Sequence, residues 1–353
     1  MKTIAILGAN GQVGTEVCLF LKNMVDYKII PICRSVSSAF ILKKFNFEIR
    51  YGDISNPDEA KNLLFDCDYI VDFTLPSGSC SEIKDVTRKI IINSIQFGRS
   101  RGSYIYASTI MAFGMPMESK YFKHHVLSKT VYGYSKRYGE KLVAKLCKKY
   151  KKRFYILRLG EVHGAIQRVS KKIIQELKNE PTLIPDNISY TVFTFTIAEA
   201  IKNIIDEKES PGGLYTLVSK PEWTWKEVHE YYCKKAGINP EIKIVFTAEE
   251  NILKRIKAKV IKLLNNNAQL ISSYVISYFP VLEKLIAGIY YCKKAKNDIN
   301  RKYDYFYSPF KDKFYIGKIP GKRMNLLSDS RDNMDTIMSK FEEELNQKTL
   351  EFL

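Results

Sequence analysis

Gly8-Ala9-Asn10-Gly11-Gln12-Val13-Gly14 decides the fold. It follows directly on the apolar run Thr3–Leu7 and opens a helical pattern over 14–21. Glycine permits the tight turn, lets backbone N–H groups approach a pyrophosphate, and allows the helix to lie close on the sheet. The spacing is GxxGxxG, not the GxGxxG of many dehydrogenases. Its place between a strand and a helix predicts a dinucleotide site built from Gly8, Asn10, Gly11, Gln12, Val13 and Gly14.

Outward from that loop, strand and helix patterns alternate. Strands are expected at Lys28–Cys33, 47–51, 68–73, 103–107 and Arg153–Leu159, with helices at 39–44, from the Asn56-Pro57 turn to Leu64, up to about Phe97, and over 135–148. Right-handed crossovers wind such a chain into an α/β Rossmann fold, a doubly wound parallel sheet with its site at the carboxyl ends of the strands. After Gly160 the pattern becomes helix 168–178, a loop spaced by Pro181 and Pro185, strand 190–195, helix 197–206, strand 214–218 and helix 225–236. This divides the chain into a Rossmann domain, 1–165 with 188–208 returning to it, and a smaller, mostly helical substrate-binding domain, 166–187 and 209–353. Trp223 and Trp225 are expected to staple a helix start to that domain.

Composition is ordinary for a globular chain of 353 residues, 45% hydrophobic and 27% charged, so a core should form without disulfides or metals. The seven cysteines (18, 33, 67, 80, 147, 233 and 292) are single, without CxxC pairs or metal-ligand spacing. Reduced thiols in the cytoplasm and no bound metal are therefore expected. No leader pattern is seen, and the charge-free stretch 263–282 is broken by asparagines, serines and Pro280, a poor membrane span. The net charge of +18 suits an anionic small molecule, an anionic surface, or simple lysine-rich composition, and does not choose among them. No nucleic-acid recognition pattern is present. The basic, helical stretch 250–302 either lies on an anionic membrane surface or, the favoured reading, adds helices that close the substrate domain or pair subunits.

The chemistry lies in Ser108-Thr109 and in Tyr132-Gly133-Tyr134-Ser135-Lys136. Tyr132 and Lys136 stand at i and i+4, on one face of a helix. A neighbouring ammonium and a bound nicotinamide cation would favour the phenolate, letting Tyr132 exchange a proton with a substrate hydroxyl or carbonyl. Lys136 would also hold ribose hydroxyls, and Thr109 would orient the substrate oxygen. Arg34, after the second strand, is suited to a 2′-phosphate and so to NADP(H), with a solvated arginine and NAD(H) as the alternative. Asp53 and Ile54 after the third strand could meet the adenine edge, although a plain turn cap competes there. Thr74 after the fourth strand completes the expected cofactor contacts. Ser108, Glu161 and His163, the last at the end of the sixth strand near the expected cleft, are candidates for substrate contact. The loop pair His124-His125 reads more readily as surface.

With these motifs in order over roughly residues 1–240, the chain resembles the extended short-chain dehydrogenase/reductase family, the NAD-dependent epimerase/dehydratase group. The resemblance rests on Gly8, Gly11 and Gly14, on Asp53, on Thr109 before Phe113-Gly114, on Tyr132 and Lys136, on 158–164 and on 214–227. It implies NAD(P), often a homodimer, and the catalytic roles given above. The family's 4,6-dehydratases carry an Asp-Glu pair where this chain has Ile110 and Met111, so dehydration is disfavoured. Glu161 stands where the family often has an asparagine near substrate phosphates, and Thr196 where it usually has an aspartate. The leading expectation is NADPH-dependent reduction of a ketone on a sugar-like or nucleotide-linked substrate. Rivals are a nucleotide-sugar 4-epimerase with tightly held NAD and a non-catalytic dinucleotide-binding regulator.

Overall fold

The computed structural model of the chain describes residues 1–24, 26–112, 131–179, 182–185, 189–207, 212–219, 223–239, 242–245 and 331–350. The first half alternates β1 (Thr3–Leu7), α1 (Gln12–Met24), β2 (Lys28–Cys33), α2 (Phe40–Lys44), β3 (Arg50–Tyr51), α3 (Pro57–Leu64), β4 (Tyr69–Asp72), α4 (Cys80–Phe97), β5 (Ser103–Thr109), α5 (Val131–Lys149) and β6 (Arg153–Leu159). Then come β7 (Glu161–His163), α6 (Arg168–Asn179), β8 (Thr182–Pro185), β9 (Thr191–Phe193), α7 (Thr194–Ile205), β10 (Gly213–Leu217), α8 (Trp225–Ala236), β11 (Ile242–Val245) and α9 (Arg331–Leu350).

Seven parallel strands form one sheet in the order β10-β6-β5-β4-β1-β2-β3. The fold is the expected doubly wound Rossmann architecture. The order reverses between β1 and β4, the place where such sheets open a crevice at their carboxyl ends. Fully buried β-branched and aromatic residues make the central strands, and every residue of β1 and β5 is buried. One face of the sheet packs under α1, α7 and α9 through Val17, Phe20, Ile197, Ile201 and Phe341. The other packs under α3, α4 and α5 through Leu64, Ile91, Ile95 and Val143.

Helix starts are written locally. Asn56 caps α3 with Pro57 at its first position, and capping boxes open α4 (Ser79, Glu82) and α8 (Thr224, Glu227). Trp223 and Trp225 are 6% and 2% exposed at the start of α8, with Trp223 edge-on to Tyr231.

Two expectations change. The third strand is only Arg50–Tyr51, because Asn46 is left-handed at φ 54° and residues 47–49 spend their apolar side chains against the core. Residues 213–217, assigned to the substrate-binding part, are β10, paired in register with β6. The final helix also leaves that part. Met334, Met338 and Phe341 of α9 are buried in the same core as α1 and α7, and Phe341 lies against Phe20 with ring centroids 4.1 Å apart. Outside the main sheet are α6, α8 and the small pairs β7–β9 and β8–β11. Among the described residues no helix is long and apolar enough to cross a membrane. The basic stretch 250–302, Phe113-Gly114 and His124-His125 lie outside the described residues.

Candidate active site

The glycine loop is shaped by close approaches that leave no room for a side chain. Gly8 is left-handed at φ +67°, and a Cβ there would lie 3.0 Å from the backbone of Phe73. A Cβ on Gly14 would come within 2.3 Å of the Gly8 carbonyl oxygen, and the Gly11 N–H donates to that same oxygen at 3.0 Å. The loop therefore lies flat against the end of β4 with the start of α1 directly behind it, and Asn10 and Gly11 are exposed. A backbone cradle open at a helix N-terminus fits a diphosphate. These residues suit a dinucleotide, whose nicotinamide ring, when bound, supplies hydride exchange.

Around this loop, Arg34 is exposed just beyond β2, beside Ser35, Ser37 and Ser38. Asp53 is used locally: its carboxylate accepts from the Ser55 N–H at 2.8 Å, the turn-cap geometry. Ile54 is buried, its carbonyl taken by Asn93. Thr74 follows β4 and forms a turn on Asp72, with both its N–H (2.8 Å) and hydroxyl (2.6 Å) on Asp72 Oδ1.

Thr109 ends β5 and Tyr132 lies in the first turn of α5, and a side-chain hydrogen bond joins them. The seating of α5 follows from Gly139, where a Cβ would lie 2.2 Å from the Tyr106 hydroxyl. With no side chain there, the helix closes on β5, and Lys136, one turn earlier, stands over the Tyr106 ring at 5.0 Å. Lys136 Nζ donates to the carbonyls of Ala107 (2.8 Å) and Thr74 (3.2 Å) and is 6% exposed. Thr109, Tyr132, Lys136 and Thr74 thus meet at the carboxyl ends of β4 and β5, next to the glycine loop.

The electrostatics differ from the expected lowering of the phenol. Burial is the largest effect on Tyr132 and pushes its pKa up, while the Thr109 hydrogen bond pulls it down. Tyr132 nevertheless keeps 41% of its surface exposed, while its hydroxyl meets Thr109. Lys136 is lowered by burial and supported by the charges of Asp72 and Glu140.

Of the substrate candidates, Ser108 is turned into the sheet, donating to Glu140 Oε1 at 2.6 Å. Glu140 also receives Arg158 through two bonds of 2.8 and 2.6 Å, a buried ion pair tying α5 to β5 and β6. His163 is fully buried, its Nδ1 2.9 Å from the Tyr232 hydroxyl and its ring stacked on Tyr232. Burial drives it down to about 3, so it is neutral at neutral pH. Glu161, at the start of β7, is the candidate whose chemistry stays open: burial raises its carboxyl to about 7.

One site residue escaped the sequence reading. Glu16, on α1 two residues after the last glycine, is fully buried and accepts from Thr194 Oγ1 (2.6 Å), Gln167 Nε2 (2.8 Å), Ile166 N (2.9 Å) and Ala165 N (3.2 Å). Gly164 allows this, since a Cβ there would lie 2.2 Å from Glu16 Oε2. Gln12 adds a second tie, donating to the Ile166 carbonyl at 3.1 Å and accepting from Arg168 N at 3.3 Å. The glycine-loop helix therefore holds residues 165–168, the connection from β7 to α6. The available signal was a charged residue inside an otherwise apolar helix face, which has to find partners when buried. Glu140 and Arg158 carried the same signal.

The pattern of the NAD dependent epimerase/dehydratase family matches residues 4–187, just over half of the chain, and the chain belongs to that family. The spore coat polysaccharide biosynthesis protein SpsK of Bacillus subtilis is 24% identical over 264 residues, 70% of this chain and 84% of its own. Among solved structures, the UDP-N-acetylglucosamine 4-epimerase of Bacillus cereus aligns with a TM-score of 0.56 at 20% identity, covering 70% of this chain and 86% of that one. The UDP-glucuronic acid 4-epimerase of Bacillus cereus, solved with UDP-glucuronic acid and NAD, gives 0.55 at 18% identity over 69% and 86%. The dTDP-glucose 4,6-dehydratase of Bacillus anthracis, solved with NAD, gives 0.57 at 17% identity over 70% and 86%. At these identities the structural likeness speaks for the fold.

Proposed function

We propose that this epimerase/dehydratase-family chain is an NAD(P)-dependent oxidoreductase acting at a secondary alcohol or ketone of a sugar-like, nucleotide-linked substrate, with NADPH-dependent reduction as the leading reading. The observation that carries it is the convergence of Thr109, Tyr132 and Lys136 beside the glycine cradle. Tyr132, its phenol kept protonated by burial, gives its proton to the substrate carbonyl oxygen. Thr109 would steady that oxygen while the bound nicotinamide would supply the hydride to the carbonyl carbon, and Lys136 would hold the ribose edge of the dinucleotide and offset the phenolate left behind. Arg34, exposed among serines, supports a 2′-phosphate and hence NADP(H). Ile110 and Met111, which follow Thr109, cannot move protons, which weighs against dehydration. Burial keeps Glu161 partly protonated near neutral pH, which relieves the repulsion a carboxylate would exert on a diphosphate. A homodimer in the cytoplasm belongs to the same reading.

A second reading, a 4-epimerase with permanently held NAD, is favoured by the two 4-epimerases among the similar solved structures, and the same three residues serve it. The deciding experiment is acid release and mass analysis of the nucleotide that survives exhaustive dialysis. Stoichiometric NAD would support the epimerase. An empty site that prefers NADPH over NADH, with the preference lost in Arg34→Asp, would support the reductase. Turnover unchanged in Tyr132→Phe would sink both, leaving a non-catalytic binder.

A further inference from the structure

Asp72 ends β4 and is 1% exposed, directly beneath the site. Its described hydrogen bonds all come from neutral groups: Thr74 N at 2.8 Å, Thr74 Oγ1 at 2.6 Å and the Tyr104 hydroxyl at 2.5 Å. A carboxylate this deep needs a compensating charge as well as donors. The other carboxylate near Lys136, Glu140, is already engaged by Arg158 and Ser108. Lys136, meanwhile, donates to the carbonyl of Thr74, the residue whose turn Asp72 closes.

We propose that Asp72 is a positioning residue for Lys136: its carboxylate closes the Thr74 turn that seats the ammonium and supplies the negative charge that the buried ammonium needs. The groups acting on Lys136 are Asp72 from β4, the Tyr106 ring from β5 and Glu140 from its own helix α5; Tyr104 of β5 is bonded to Asp72, and Arg158 of β6 to Glu140. Burial works against the charged form of Lys136, and Asp72 is the first charge opposing that, ahead of Glu140. Asn keeps the oxygen that accepts both Thr74 bonds and removes the charge, while its amide N–H would donate to the Tyr104 hydroxyl instead of accepting from it; Tyr104→Phe accounts for that change, so the two roles separate. This inference rests on Lys136 gripping the dinucleotide, as in the proposed function.

The test is the affinity of the full-length protein for NADH or NADPH, whichever binds tighter, followed by nucleotide fluorescence from pH 7 to 10.5. Wild type should lose affinity at alkaline pH as Lys136 deprotonates, and Lys136→Met should remove that limb. In Asp72→Asn the limb should move down by about one pH unit. Tyr104→Phe, which keeps the charge and removes one hydrogen bond, should lower the urea midpoint and leave the limb in place. An unmoved limb in Asp72→Asn, an equal shift in Tyr104→Phe, or a limb that survives Lys136→Met overturns the proposal. Should Asp72→Asn not fold, Asp72→Glu is read instead: weakened binding with the limb at its wild-type pH is expected, and a displaced limb overturns it. A wild-type protein that binds neither nucleotide at any pH counts against the proposed function instead.

Discussion

Glu161 and His163 lie two residues apart on β7, yet burial drives them in opposite chemical directions. A carboxyl and an imidazolium both lose their charged form on desolvation, so the acid rises to about 7 and the imidazole falls to about 3. Under the proposed function, the consequence for Glu161 is functional. Its carboxylate forms as pH rises through about 7, so KM for a diphosphate-linked substrate should increase several-fold between pH 6 and 8, and Glu161→Gln should flatten that profile. For His163 the consequence is stability. Its folded-state pKa is depressed, so below about pH 6.5 the unfolded chain binds a proton that the native protein refuses. Stability should therefore decline from pH 6.5 toward 3, by up to about 1.4 kcal/mol per pH unit, with buried His229 adding in the same direction. Urea midpoints at pH 7.5 and 5.5 check this, and His163→Gln should narrow the gap. Tyr132→Phe is expected to cut turnover by about 10²–10⁴-fold with dinucleotide affinity nearly unchanged.

At the scale of elements, the site depends on how α5 lies on the sheet. Gly139 permits its close approach to Tyr106, and the pair Glu140–Arg158 pins the next turn to β6. Breaking that pair by Arg158→Met strands a buried carboxylate, which should cost about 3–5 kcal/mol in urea denaturation. Replacing both partners with apolar residues should recover much of that loss. The YxxxK spacing was readable because i and i+4 share a helix face whatever the surroundings. The seating of that face was not readable, since it is set by a glycine and an ion pair whose partners lie on other strands. Glu16 shows the same limit on α1: its charge is plain in the sequence, but its partners lie some 150 to 180 residues away.

Across the whole molecule, α9 joins the end of the chain to its beginning. Phe341 packs on Phe20, Lys348 lies 4.7 Å from the Phe45 ring centroid, and Lys234 and Lys235 of α8 pair with Asp335 and Glu342. Phe341→Ala should cost about 3 kcal/mol of stability and leave dinucleotide affinity intact, because α9 packs on Phe20, in the later part of α1, away from the glycine loop. Urea denaturation beside a binding titration separates the two effects. The sequence by itself determined the alternation of strand and helix, the glycine turn and the Tyr132–Lys136 register, because each is a local pattern of sterics and periodicity. Tertiary structure alone decided that 213–217 joins the main sheet, that α9 docks on α1 and α7, and which charges surround Lys136. Those outcomes follow from burying charges and apolar faces against partners distant in the chain, and no local period encodes such a choice.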